Sequence, residues 1–157
     1  REFVTRKITD SLSKIKLGKL DILELGNIYA KRDWGYAQEY VEGMWLMMQS
    51  SEPKSYVLST NRAETVRFFV ELAGRYLDFN IIWRTENGQE IGFDTKLNKA
   101  IVRVTDDNLR PTEVDLLIGD FSLAKKELGW SPKTSLEDLC AMMVDADMDR
   151  NMKGESF

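Results

Sequence analysis

The sequence predicts a mixed α/β fold. Apolar residues recur at helical spacing in several segments, and short apolar runs typical of strands separate these segments. The clearest case is the segment 55–84, whose pattern indicates a strand, a helix and a second strand, forming a small βαβ-like unit. With 157 residues, of which 43% are hydrophobic, the chain can bury a core. This size suits one domain or one lobe of a larger enzyme.

The first predicted helix covers residues 2–17. Its apolar stripe consists of Val4, Ile8, Leu12 and Ile15. Gly18 stands where a helix C-cap is expected, because glycine adopts the left-handed conformation without steric cost. The segment 20–25 alternates enough to predict a short strand after this helix.

The stretch 25–36 combines cations, an acid and a large aromatic between this strand and the next helix. Lys31 and Arg32 come just before the expected start of that helix, with Asp33 as a candidate N-cap. Gly35 allows close approach of the backbone. Free amide groups and a guanidinium could therefore face one anion here.

The second predicted helix carries a broad apolar stripe, which we interpret as core packing. The stripe consists of Ala37, Tyr40, Val41, Met44, Trp45 and Met48. After a break at 50–53, residues 56–59 predict a buried strand. Asn61 and Glu64 resemble a capping box that opens a third helix. The apolar positions of that helix are Val66, Phe69, Val70, Ala73 and Leu77.

The strand predicted at 80–84 closes the βαβ-like unit, and a two-stranded ribbon is expected after it. In that ribbon 90–93 would pair with 100–104. Further on, Arg110 directly precedes a proline, which favours extended geometry and allows the side chain to point inward.

Two shorter helices are predicted towards the end of the chain. Asp120 is the expected cap of the first, which ends at Gly129. Thr134 and Glu137 are the expected capping pair of the second. The apolar positions of the second helix are Leu136, Leu139, Cys140 and Met143. The residues 145–157 are polar and acidic and predict a flexible tail.

Composition excludes several classes of function. With a net charge of -4 and charges of both signs, general nucleic-acid binding is not expected. The sequence has no histidine, which removes imidazole general bases and histidine-ligated metals, and no metal site is predicted. Its single cysteine, Cys140, lies in an apolar helical pattern and is expected to be a buried thiol. No bilayer-length apolar run or leader pattern occurs, so we expect a cytoplasmic protein without membrane contact.

Several short motifs identify a family by resemblance. They are Leu-Gly-Asn at 25–27, Ala-Lys-Arg-Asp-Trp-Gly at 30–35, Tyr-Val-Glu at 40–42, Met-Trp-Leu at 44–46, Arg-Pro-Thr-Glu-Val-Asp at 110–115 and Ala-Lys-Lys-Glu-Leu-Gly-Trp at 124–130. In this order they resemble the C-terminal half of the GDP-mannose 4,6-dehydratase family of extended short-chain dehydrogenases/reductases. The segment 3–8 matches that family too, so the resemblance covers essentially the whole chain.

The resemblance implies roles for individual residues. Arg32 and Arg110 would grip a diphosphate, and Glu113 would accept hydrogen bonds from ribose hydroxyls. The lining of the nucleotide pocket would fall on Val4, Lys7 and Leu25. Arginine forks and carboxylates suit these partners chemically.

The residues by themselves are also consistent with roles that involve no ligand. Arg32 could be a surface residue paired with Asp33 or Glu39. Arg110 could form an ion pair with a carboxylate that follows it, and Lys7 could be solvated on a helix face.

The resemblance also implies a two-part enzyme. Residues 1–157 would be the C-terminal nucleotide-sugar-binding portion, and an N-terminal Rossmann part would bind NADP and carry the catalytic residues. No tyrosine here has a lysine four residues later, so no catalytic residue is predicted and the chain alone should be inactive. Because the chain starts at Arg1, we expect its beginning to be missing, and we expect exposed apolar surface and association.

For the complete protein, the resemblance implies conversion of GDP-mannose to GDP-4-keto-6-deoxymannose by a homo-oligomer, a dimer or tetramer. Two other functions stay open at this point. One is a related GDP-sugar reductase or epimerase of the same superfamily. The other is a module that binds a nucleotide sugar without turning it over.

Overall fold

The structure is a computed structural model that describes residues 3–105 and 118–155. Its helices within these ranges are α1 (Val4–Lys16), α2 (Ala37–Met48), α3 (Val66–Tyr76), α4 (Ser122–Leu128) and α5 (Leu136–Lys153). Its strands within the same ranges are β1 (Leu23–Leu25), β2 (Lys31–Asp33), β3 (Ala63–Thr65), β4 (Ile81–Glu86), β5 (Gln89–Asp94) and β6 (Lys99–Val104). The mixed α/β composition predicted from the sequence is confirmed.

The chain divides into two compact units. Of the described residues, the first unit contains 3–30, 65–105 and 140–155, and the second contains 31–64 and 118–139. None of the described helices is long and apolar enough to cross a lipid bilayer.

The sheet of the first unit has the strand order β1-β6-β5-β4. Strand β1 pairs with β6 in parallel, with Leu23 opposite Val102, whereas the β5–β6 and β4–β5 pairs are antiparallel. The β5–β6 pair confirms the ribbon predicted from the sequence. The β4–β5 hairpin was not predicted. Asn87 and Gly88 form its turn with φ values of 50° and 80°, the positive values that a two-residue hairpin turn requires.

Helices α1 and α3 pack against each other in the first unit. Ile8, Leu12, Phe69 and Val70 are completely buried. These residues belong to the helical stripes identified in the sequence, so the predicted core of α1 and α3 is confirmed. Gly18 follows α1 with φ 70°, as expected of a residue that ends a helix.

The start of α3 differs from the prediction. Asn61 and Glu64 do not cap the helix, because Asn61 has φ 60° and Glu64 lies in β3. Thr65 is the N-cap, and its side chain accepts a hydrogen bond from the backbone N–H of Phe68 at 3.0 Å. Asn61 precedes Glu64 by three residues, as Thr65 precedes Phe68, so this spacing alone did not distinguish the two candidate caps.

The βαβ-like unit proposed for 55–84 is wrong. Residues 56–59 form no strand in the described structure, and Val57 is 52% exposed. Strand β4 instead pairs antiparallel with β5, and the parallel pair of the sheet is β1 with β6. An apolar run of four residues predicts extended backbone but does not identify the neighbour that it pairs with.

The apolar stripe predicted as the core face of α2 is largely exposed. Its exposed members are Val41 (62%), Met44 (56%), Trp45 (57%) and Met48 (82%). The buried position of α2 is Gly43, where an added Cβ would lie 2.8 Å from Leu58 Cδ1 and 3.0 Å from Trp130 Nε1. The helix therefore packs in its own unit through a close approach at a glycine.

The predicted end of α4 is confirmed, because Gly129 follows the helix with φ 70°. The predicted cap is wrong by one residue, because Phe121 is the N-cap without a side-chain hydrogen bond, and Asp120 before it accepts from the backbone N–H of Ser122. The predicted cap of α5, Thr134, is also wrong by one residue. Ser135 Oγ accepts from the backbone N–H of Asp138 at 3.0 Å, whereas the Thr134 hydroxyl donates to Glu39.

Helix α5 also extends beyond its expected end. Residues 145–153 were predicted to belong to a flexible tail, but they continue the helix as far as Lys153. Asp147 within this stretch is completely buried. Cys140 is buried, as predicted.

Candidate functional site

The cations of the stretch 25–36, Lys31 and Arg32, lie in a strand. Lys31, Arg32 and Asp33 form β2, which pairs with β3. The prediction that Asp33 is the N-cap of α2 is therefore wrong. Tyr36 is the N-cap, and its side chain makes no capping hydrogen bond. Asp33 instead accepts hydrogen bonds from the loop that precedes β3.

Both carboxylate oxygens of Asp33 are bonded to this loop. Oδ1 accepts from Thr60 Oγ1 at 2.6 Å, and Oδ1 and Oδ2 accept from the Thr60 backbone N–H at 3.1 and 3.0 Å. Oδ2 also accepts from the Asn61 backbone N–H at 3.1 Å. Hydrogen bonds to a charged acceptor are among the stronger ones in proteins, so Asp33 fixes β2 to residues 60–61.

The same loop continues into an arginine with two carboxylate partners. Arg62 Nη1 and Nη2 donate to the two carboxylate oxygens of Glu137 at 2.8 and 2.9 Å, and Nε donates to Glu64 at 3.0 Å. The hydrogen bonds that Arg62 donates to Glu137 raise the pKa of Arg62 above its ordinary value. This fork ties the loop to the start of α5 inside the second unit.

Glu39 and Trp130 hold the first turn of α2. Glu39 accepts from the backbone N–H of Lys133 and from the backbone N–H and hydroxyl of Thr134, the latter at 2.7 Å. The indole N–H of Trp130 donates to the Glu39 carbonyl at 2.7 Å. These contacts give Thr134 its role, which is to bond Glu39 and not to cap α5.

Gly35 has a steric reason to be glycine. A Cβ at this position would lie 2.3 Å from Cε2 of Tyr40, whose ring covers the backbone there. Tyr40 in turn packs edge-on against Trp130, with ring centroids 5.8 Å apart. The Arg-Asp-Trp-Gly sequence thus combines one candidate ligand-binding residue, Arg32, with neighbours that fix its backbone.

Arg32 itself is half-buried, and its Nη1 donates to the carbonyl of Lys31 at 2.7 Å. Lys31 is exposed. A guanidinium carries several N–H donors in a planar fork, so Arg32 can bind oxygens of an anion from a strand that Asp33 fixes at the next residue.

Val4 and Lys7 lie one turn apart at the start of α1, in the first unit, and both are half-buried. A buried carboxylate anchors this part of the helix. Asp147 accepts from Thr9 Oγ1 at 2.6 Å and from Arg150 Nη2 at 2.6 Å, and it pairs with Arg6 Nε at 2.9 Å. This anchor was not predicted, because the polar and acidic composition of 145–157 indicated a tail.

Leu25 is buried at the end of β1. It lies opposite Val104, and its carbonyl accepts from the Thr105 backbone N–H at 2.8 Å. The chain therefore leaves β6 beside Leu25, a few residues before Arg110. Arg110 and Glu113 themselves lie outside the described residues.

Of the residues predicted for the site, the structure places Val4, Lys7 and Leu25 in the first unit and Arg32 in the second. Thr60, which donates to Asp33 beside Arg32, was missed. Asp33 was noted in the sequence, but nothing there identified residues 60–61 as its partner.

Solved structures share this fold at low sequence identity. An RMD from Pseudomonas aeruginosa complexed with NADPH aligns with a TM-score of 0.73 at 15% identity, over 94% of this chain and 43% of that one. A dTDP-glucose 4,6-dehydratase from Bacillus anthracis in complex with NAD aligns with a TM-score of 0.65 at 16% identity, over 91% and 39%. The fold is that of a portion of the extended short-chain dehydrogenases/reductases, the class of Rossmann-type dehydratases and epimerases.

Sequence comparison narrows this class to one family. The family model described as GDP-mannose 4,6 dehydratase matches residues 1–143, and the chain belongs to this family. The human GDP-mannose 4,6 dehydratase is 45% identical over 147 residues, which are 94% of this chain and 40% of that protein. The enzyme of Sinorhizobium fredii is 48% identical over 146 residues, which are 93% and 42%. The chain thus spans about 40% of the length of these relatives.

Proposed function

We propose that this chain is the GDP-sugar-binding portion of a GDP-mannose 4,6-dehydratase. The observation that carries the proposal is the family match over residues 1–143, which includes the Lys-Arg-Asp-Trp-Gly motif at 31–35. The hydrogen bonds of Asp33, which fix the backbone directly after Arg32, support it, because a diphosphate-binding arginine requires a defined position.

In this proposal Arg32 and Arg110 bind the diphosphate, and Glu113 accepts hydrogen bonds from the ribose hydroxyls. The nucleotide pocket is lined by Val4, Lys7 and Leu25. The half-buried Val4 and the buried Leu25 supply apolar surface, and the half-buried Lys7 supplies a cation suited to an anionic ligand.

The complete protein would convert GDP-mannose to GDP-4-keto-6-deoxymannose. NADP is the proposed cofactor, but the residues of this chain do not fit it. The sequence has no glycine-rich phosphate loop and no Tyr-x-x-x-Lys pair, so we assign no catalytic step to these residues. The chain by itself would bind the GDP-sugar without turning it over.

The proposed setting is the cytoplasm, and the complete enzyme would be a dimer or tetramer. Its proposed partner is GDP-mannose. Neither a nucleic acid nor a membrane is a proposed partner, which agrees with the net charge of -4.

Calorimetric titration of the chain with GDP and with GDP-mannose tests this function. Arg110→Ala should weaken binding by about 2 to 5 kcal/mol, the range for removing one partner of a buried charge-assisted contact. Arg110→Lys should restore only part, since lysine keeps the charge and loses the planar fork. Arg75→Ala, which removes an exposed arginine near the end of α3, is the matched control and should leave the affinity unchanged.

The double variant Arg32→Ala/Arg110→Ala tests whether the two arginines address the same ligand. Its loss should be smaller than the sum of the single losses, because both side chains would bind the same two phosphates. Unchanged GDP affinity in Arg110→Ala, or absence of GDP binding by the unaltered chain, would contradict the proposed function.

A further inference from the structure

Arg32 is followed directly by a carboxylate, which is an unfavourable neighbour for an anion-binding residue. A carboxylate without hydrogen-bond partners at the residue next to Arg32 would repel a phosphate bound by Arg32, because like charges interact strongly where solvent is partly excluded. Asp33 is only half-buried, yet both of its oxygens are directed at the loop 60–61. The side chain therefore has a defined partner.

Asp33 bonds to donors of two kinds. The backbone N–H groups of Thr60 and Asn61 donate to it at 3.0 to 3.1 Å, and the Thr60 hydroxyl donates at 2.6 Å. Asn61 has φ 60°, the left-handed conformation that asparagine tolerates better than most residues. In this conformation two successive N–H groups face the same carboxylate, and they offset its charge.

The loop is itself anchored beyond Asn61. Thr60 Oγ1 accepts from the backbone N–H of Arg62 at 3.3 Å, and the Arg62 fork binds Glu137 at 2.8 and 2.9 Å. Strand β2 is thus attached at Asp33 to a loop that is held at its far end as well. A displacement of Arg32 along β2 would break hydrogen bonds at the very next residue.

We propose that Asp33 is a positioning residue for Arg32. Through its hydrogen bonds to Thr60 and Asn61, Asp33 fixes the backbone from which Arg32 reaches the diphosphate of a GDP-sugar. This inference rests on the proposed function and adds to it a residue that does not touch the ligand. Small displacements of a binding group can cost large factors in affinity or rate.

A double-mutant cycle with GDP as the ligand tests the proposal. Asp33→Asn replaces one acceptor oxygen by an NH₂ group that faces N–H donors, and it should weaken GDP binding by about 10-fold. In an Arg32→Ala background the same change should cost less than about 2-fold, because the residue that Asp33 positions is gone. A general loss of structure would not produce this dependence on Arg32.

Two further variants keep the test decisive. Thr60→Val removes only the hydroxyl donor and keeps Asp33, so it should weaken GDP binding by about 3-fold and show the same dependence on Arg32. It replaces Asp33→Asn in the cycle if that variant does not fold. Asp120→Asn is the matched control, since Asp120 also accepts a backbone N–H in the second unit but lies apart from β2 in sequence. Its GDP affinity should be unchanged.

The outcomes separate this inference from the proposed function. If Arg32→Ala weakens GDP binding but Asp33→Asn and Thr60→Val do not, or do so equally in both backgrounds, the positioning role is wrong and the proposed function stands. If Arg32→Ala binds GDP with unchanged affinity, the diphosphate role of Arg32 is wrong, and the positioning role is wrong with it.

Discussion

Helices α1 and α2 have similar apolar stripes in the sequence but different surroundings in the structure. In α1 the stripe is covered, and Ile8 and Leu12 are completely buried. In α2 Met44 and Trp45 are more than half exposed, and Met48 is 82% exposed. Helical periodicity therefore identified both helices correctly and predicted burial correctly for α1 alone.

The difference lies in how each helix is held. Burial of apolar side chains stabilises α1, whereas α2 is fixed in its unit by a close approach at Gly43 and by hydrogen bonds at Glu39 and Trp130. A helix can thus be fixed at a few polar points while most of its apolar face has no cover among the described residues. Such a face is a common feature of interaction surfaces.

The largest expected effect is the loss of a core side chain of α1. Leu12→Ala should lower the free energy of unfolding by about 2 to 5 kcal/mol, because Leu12 is completely buried and the change leaves a cavity. Met48→Ala on α2 should change it by less than about 0.5 kcal/mol. Urea denaturation of both variants measures the contrast, and similar losses would show that the α2 face is covered in solution.

The next effect concerns the polar anchor of α1. Asp147→Asn should lower the free energy of unfolding by about 1 to 3 kcal/mol, since the buried carboxylate accepts from Thr9 and pairs with Arg6 and Arg150. Asp149→Asn is a suitable control, because Asp149 lies two residues away and pairs on the surface with Lys153. Equal stability of the two variants would contradict an anchoring role for Asp147.

A smaller effect on stability, but a clear one on assembly, is expected at the α2 face. Met44→Lys combined with Met48→Lys should leave the free energy of unfolding nearly unchanged and should reduce self-association of the chain. Sedimentation at several protein concentrations measures the association. If the unaltered chain sediments as a monomer at all concentrations, the expected association of exposed apolar surface is wrong.

The sequence predicted those elements whose partners are close in the chain. The β5–β6 ribbon and the ends of α1 and α4 depend on local turns and glycines, and they are confirmed. The strand expected at 56–59 depends on a distant neighbour, which an apolar run does not specify. The same limit applies to α2, whose periodicity predicts a helix but not what covers it.

The candidate site shows the same limit. The motif at 31–35 drew attention to Arg32, but the partner of Asp33 lies 27 residues away in the loop at Thr60. Asp147 was assigned to a tail because its segment is acidic, although its partners on α1 lie far away in sequence. Long-range carboxylate contacts leave no periodic signal, so they become visible only in the fold.

The smallest expected effect is the pH dependence contributed by Tyr40 near α2. Burial, and then the carboxylates of Asp33 and Glu39, raise the pKa of Tyr40 above its ordinary value of 10.0. Because the folded-state pKa is the higher one, the stability that Tyr40 contributes is fully present below pH 10 and is lost as the pH rises through the folded-state pKa. Tyr40→Phe removes the ionisable hydroxyl and keeps the ring against Trp130. Urea denaturation between about pH 9 and 11 should therefore show a shallower loss of stability for Tyr40→Phe than for the unaltered chain. Parallel pH dependences of the two proteins would mean that the Tyr40 hydroxyl is as accessible to solvent as in the unfolded chain. The exposed face of α2 would then include its first turn.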